Sequence, residues 1–172
     1  MNPIAVAALN KALRNVRAGP KRRPRYSSRT ADKFVIRGFE ELFEELKGIG
    51  HHQGRSMNSE AIAAILDALD GHVRSRMQVK ILKSHLGEGV SDRVLAEVPD
   101  FDLSACSAPD SFVVRLPPSV RDVIRDGVKS ATSGKVTMKD WMLEALVDWI
   151  NIQRQEYALL TAAIAMEPNR LG

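Results

Sequence analysis

Two stretches of this chain repeat one pattern of apolar and polar positions. From residue 33, Lys33, Val35 and Arg37 alternate with Phe34 and Ile36. A period of two places the first three on one face of a strand and the other two on the opposite face. Phe39, Leu42, Phe43 and Leu46 then recur at i, i+3, i+4 and i+7, while Glu40, Glu41, Glu44 and Glu45 take the remaining positions. That spacing predicts an amphipathic helix with an acidic outer face. Gly48 and Gly50 are expected to loosen its end and Gly54 to close it. Ser56 is a suitable N-cap for a second helix, in which Ile62, Ile65, Leu66 and Leu69 form the apolar stripe.

The logic returns from residue 111. Ser111, Val113 and Arg115 share one strand face, and Phe112 and Val114 share the other. Pro118 suits a first helical turn, and Val120, Val123, Ile124, Gly127 and Val128 form a stripe. Ser133 and Gly134 mark a turn. Thr137, followed three residues later by Asp140, comes close to a capping box. Leu143, Leu146, Val147 and Ile150 then match the spacing of Ile62, Ile65, Leu66 and Leu69. A five-residue strand leaves both edges unpaired, so each copy needs a partner, and the natural partner is the other copy or its twin in a second chain.

The remaining segments differ in kind. Residues 4–17 read as a short basic amphipathic helix carrying Lys11, Arg14 and Arg17. Lys21, Arg22, Arg23, Arg25 and Arg29, interrupted by prolines, form an arm of the kind that lies along phosphates or in a minor groove. The stretch 72–109 has mixed helical character, with breaks at Gly87, Gly89, Pro99 and Pro109, and no fold is assigned to it. The last helix carries a second stripe of Met138, Met142, Ala145, Trp149 and Ile152, which must face the linker, the other unit or another chain. Beyond it, Ile150, Gln153, Tyr157, Leu160 and Ile164 keep a 3/4 spacing that suits either an oligomerising helix or a docked tail.

Residues 33–69, and above all Gly54-Arg55-Ser56-Met57-Asn58-Ser59-Glu60, resemble the ribbon-helix-helix DNA-binding proteins of the MetJ, Arc and Mnt type. The first unit is most similar to the Arc and Mnt phage repressors. The second resembles the wider superfamily, with about two extra residues before Thr137. Tandem copies also resemble conjugation accessory proteins that bind a transfer origin. The resemblance implies a mainly α fold with a short β-ribbon: tandem ribbon-helix-helix modules plus flanking helices. The corresponding division is a basic helix and arm (1–31), a first module (32–73), a partly helical linker (74–109), a second module (110–152) and a helical extension (153–172).

It implies, too, how such a chain reads DNA. Two strands pair antiparallel, and the ribbon's outer face enters the major groove. Lys33, Val35, Arg37, Ser111, Val113 and Arg115 are then the base-reading residues. Arginine suits guanine O6 and N7, valine a thymine methyl, and serine either a donor or an acceptor. Phosphates fall to the starts of the second helices, at Arg55, Ser56, Met57 and Asn58 and at Lys135, Thr137, Met138 and Lys139. Of the Arc-type buried ion triad, the first two members match Arg55 and Glu60 and the third falls on Ala64, so the network is expected to be shortened. Gly38 and Phe39 depart from the bulky residue and proline that usually end the strand.

Charge agrees with a polyanionic partner. The net charge of +4 divides into +8 over residues 1–33 and −4 over the remainder, a basic head on an acidic body. A hydrophobic content of 44% is ordinary for a folded chain, and 5% aromatics argue against a large β-sandwich. The single Cys106 excludes an internal disulfide or a cysteine metal cluster. The apolar run near the start lacks a preceding basic segment, against a secretory signal. No run is long enough to span a membrane. His51 and His52 are expected in a solvated turn. No phosphate-cradling loop or placed carboxylate pair suggests an enzyme, and no cofactor or metal is expected. Two readings follow. One is a cytoplasmic, nucleoid-associated regulator of phage or bacterial type that binds double-stranded DNA and itself. The other is an antitoxin-like or host-factor-binding platform that grips a protein partner through its C-terminal helix.

Overall fold

The computed structural model describes residues 31–117, 119–132 and 136–167. The elements run β1 (Asp32–Phe39), α1 (Glu40–His52), α2 (Met57–Leu69), α3 (Val73–Leu86), α4 (Glu88–Ala96), a 3-10 turn at Leu103–Ala105, β2 (Pro109–Leu116), α5 (Val120–Thr132) and α6 (Met138–Met166). The basic helix and arm, Pro118, the 133–134 turn and Lys135 lie outside the described residues.

The two strands pair with each other inside one chain. β1 and β2 are antiparallel, with Lys33 opposite Arg115, Val35 opposite Val113 and Arg37 opposite Ser111. The alternation read from sequence holds. Ile36, Val114 and Leu116 are buried on the inner face with Phe34 and Phe112 packed beside them, while all six outward residues are exposed. Phe112 of β2 meets Phe43 of α1 at 5.9 Å between ring centroids. Arg121 of α5 lies over the Phe34 ring, 5.7 Å from its centroid. A helix of the first unit thus covers β2, and a helix of the second reaches β1.

Gly38 owes its identity to this closure. A Cβ there would come within 3.1 Å of Leu143 and 3.2 Å of Phe43, so the missing side chain lets α6 approach the ribbon end. Gly50 plays the same part behind α1, where a Cβ would meet the Arg55 carbonyl oxygen at 3.1 Å. α1 runs through Gly48 and Gly50 to His52 instead of loosening there. His51 and His52 sit in its last turn, not in a loop. They remain exposed, and the His52 ring stands edge-on to Tyr157 at 5.0 Å.

Several helix faces differ from those the periodicity suggested. On α2 the buried positions are Glu60, Ala61, Ala64 and Ile65, whereas Leu66 is exposed and Ile62 and Leu69 are half-buried. Small residues turn inward because α6 crosses closely at this face. On α5, Ile124 and Val128 are buried and Val123 faces solvent.

The stretch without an assigned fold is two helices laid on α6. Leu86, Leu159 and Ala163 bury one another among Val79, Leu82, Val90, Val94 and Leu95. α6 continues unbroken from Met138 to Met166. Its packing positions past Ile152 are Leu159 and Ala163, one step round from the suggested line, and Tyr157, Leu160 and Ile164 point outward. The chain then returns to β2 under the control of α1. The Glu41 carboxylate accepts from the backbone N–H groups of Ser107 and Ala108, and the Glu40 N–H donates to the Ala108 carbonyl at 2.8 Å. The Ser107 N–H first, then the Glu41 and Ala108 N–H groups, hold the Glu41 pKa below its ordinary value.

Glu60 is fully buried between the two units. Its Oε1 accepts from the Trp149 indole N–H at 2.8 Å, and its Oε2 lies 2.9 Å from Arg55 Nε. Oε2 lacks an aligned hydrogen-bond donor among the described residues, so Arg55 compensates its charge through proximity. The shortened triad thus has a third member after all, contributed by α6 and neutral. Replacing Trp149 with Phe keeps most of the packing and strands Oε1. We expect a loss of about 1–3 kcal/mol, measured as the shift of the urea midpoint followed by far-ultraviolet circular dichroism.

Candidate nucleic-acid interface

The outer face of the ribbon is built by register alone. Because the strands are antiparallel and in step, Lys33, Val35, Arg37, Ser111, Val113 and Arg115 form three cross-strand pairs on one surface. Val35 and Val113, at the centre, are 49% and 46% exposed. The two valines stand side by side there as an exposed apolar pair. Three cations surround them, two at one end of the ribbon and one at the other. Residues at i and i+4 of a strand stand about 13 Å apart, so the face spans roughly four base-pair steps at about 3.4 Å each.

The starts of α2 and α6 flank the two ends. Ser56 caps α2, its Oγ accepting from the Ser59 N–H at 3.2 Å. Thr137 caps α6, accepting from the Asp140 N–H at 3.1 Å and donating to the Asp140 carboxylate at 2.7 Å. A helix start has first-turn N–H groups without intrahelical acceptors, an arrangement suited to anions. Asn58 ties α2 to the ribbon, its Oδ1 accepting from the Arg115 backbone N–H at 2.9 Å. The second turn of α6 lies at the other end, where Leu143 abuts Gly38.

The residues expected to bind phosphate separate into groups. Ser56, Thr137 and Lys139 are exposed at helix starts. Met57 and Met138 are half-buried against the core. Arg55 is turned toward Glu60, and Asn58 is engaged with the ribbon. Lys135 and the arm residues Lys21, Arg22, Arg23, Arg25 and Arg29 lie outside the described residues. Sequence reasoning missed the Asn58–Arg115 and Glu60–Trp149 links. Trp149 was visible on the second stripe of α6, but nothing local named its partner.

Other chemistry is weakly represented. Among the described residues no group of three or more His, Cys, Asp or Glu side chains could hold a metal ion. The Cys106 thiol is pushed up from its ordinary pKa by desolvation, then by the Glu41 and Asp102 carboxylates, which makes it a poor nucleophile. No described helix is long and apolar enough to cross a membrane.

Residues 28–74 match the family model of the Arc-like DNA binding domain. Over 50 residues the chain is 44% identical to the transcription factor AmrZ of Pseudomonas ogarae, covering 29% of this chain and 46% of that protein. The chain thus spans about half the length of that relative. No solved structure matches. Asn58→Ala should loosen the strand that carries Arg115. The loss of one hydrogen bond, about 0.5–1.5 kcal/mol, is expected to speed hydrogen exchange of the Arg115 amide roughly 2- to 12-fold, read by nuclear magnetic resonance.

Proposed function

We propose that the Arc-like DNA-binding domain at residues 28–74 works as half of a reading head whose other half is β2, α5 and α6 of the same chain. On this reading the protein is a sequence-specific regulator of transcription that inserts its ribbon into the major groove of double-stranded DNA. The observation that carries it is the outer face, where three exposed cations surround two exposed valines in fixed register. Arginine and lysine donors meet guanine acceptors, and valine meets thymine methyls. The starts of α2 and α6 then rest on phosphates on either side, which sets position more than sequence. The basic arm adds attraction that does not depend on sequence. A repressor acting from the cytoplasm by occupying its operator is the simplest use of such a head, and an accessory role in DNA processing would use the same contacts.

A second reading is favoured by the far end of the molecule. α1 and the second half of α6 enclose a groove of about 760 Å³ lined by Ile49, His52, Tyr157 and Leu160 among several glutamates. Such a surface suits a protein partner, with the ribbon serving to hold the two units together. A duplex-binding assay separates the readings, because a pure interaction platform retains no DNA even at low salt.

For the DNA reading, log K should fall linearly as log salt rises. Arg37→Ala should cost about 1–3 kcal/mol at the preferred site and relax the choice of base there. Removing residues 1–30 should instead weaken binding to all sequences about equally and reduce the salt slope. Unchanged binding of Arg37→Ala to its best site would remove the ribbon from the interface.

A further inference from the structure

The ribbon has an approximate twofold axis between Val35 and Val113, and its outer face does not obey it. Rotation about that axis carries Arg37 onto Arg115, since each lies two residues after its valine. It carries Lys33 onto Ser111, each two residues before. The arginines and valines are therefore matched, and the third pair of positions is a cation on one side and a hydroxyl on the other. Two copies of one strand in a homodimer could not differ in this way. Here a single chain supplies two strands, and sequence divergence between them breaks the symmetry.

The break is concentrated by the pairing. Lys33 stands directly opposite Arg115, which places two cations at one end of the ribbon. Arg37 stands opposite Ser111 at the other end, with Asp110 next along the strand. The flanking helices differ as well. At the Lys33 end the start of α2 carries Asn58, bound to the Arg115 N–H. At the Arg37 end α6 approaches through Leu143, and its Lys139 stands two residues after the Thr137 cap, as Asn58 stands two after the Ser56 cap.

Resting on the DNA reading above, we infer that this head recognises a non-palindromic duplex site in a single orientation. Arg37 and Arg115 read a guanine on each side, and Val35 with Val113 reads thymine methyls between them. Lys33 demands a further base with major-groove acceptors on its own side. Ser111, able to donate or accept, makes no equally strict demand on the other. Lys33 and Ser111 are thus the residues that set direction.

Both side chains are exposed on the outer face, so exchanging them is expected to leave the fold intact. The test is selection of binding sites from randomised duplexes by the full chain, with the recovered motif compared with its own reverse complement. The unaltered protein should recover a motif with unlike halves, and changing the Lys33-side base should weaken binding roughly 5- to 150-fold. Lys33→Ser restores the twofold match and should recover a motif with like halves. Ser111→Lys should do the same from the other direction, with the acceptor base now demanded on both sides. A palindromic motif from the unaltered protein overturns the inference and leaves the DNA reading standing, as does an unlike-halved motif that survives both substitutions. Equal retention of every duplex, with no motif, overturns both.

Discussion

Neither strand of this protein satisfies its own backbone. Each is eight residues long, too short to stand alone, and carries unpaired donors and acceptors along its edges. The pairing of β1 with β2 answers that need across some 70 residues of intervening chain. Nearly everything else follows from it. The inner residues Phe34, Ile36, Phe112 and Val114 must be covered from below, the helices of both units must converge there, and the pairing sets the register of the outer residues.

Convergence of two units on one ribbon makes their interface part of the core. Phe43 of the first unit packs on Phe112 of the second, and Asn58 of the first holds the strand of the second. Trp149 of the second satisfies Glu60 of the first. A carboxylate taken out of water is costly unless its oxygens find donors or compensating charge. The position of Glu60 is therefore strongly specified, since one oxygen needs the indole of α6 and the other needs Arg55. The small residues Ala61 and Ala64, which carry little burial energy themselves, are what let α6 come close enough to donate.

The segment between the units is more than a tether. α3 and α4 give the second half of α6 a surface to pack against, and the Phe101 N–H donates to Asn151 Oδ1 at 2.7 Å. Arg154 donates to Glu45 and to the Pro99 carbonyl, and stacks on Phe101. These contacts fix the return path into β2, and with it the register that presents the outer face. A loose loop of this length would allow the same pairing at a larger entropic cost of closure.

Local pattern determined much of this protein. The alternation around Val35 and Val113 assigned each residue to its face, because a strand has a period of two and one of its faces was plainly apolar. The caps at Ser56 and Thr137 were legible because capping depends on residues only three positions apart. The helix faces of α2 and α5 were read less well, since hydrophobicity alone favours Leu66 and Val123 where close packing favours alanine or solvent. What only the tertiary structure decided is the choice of partners. That β1 pairs with β2 in its own chain, that Trp149 reaches Glu60, that Gly38 makes room for Leu143, and that the unassigned stretch folds onto α6 all depend on residues far apart in sequence. Periodicity states which side of an element is buried. It carries no term for what that side is buried against, and the asymmetry of the outer face exists only once two unlike strands lie side by side.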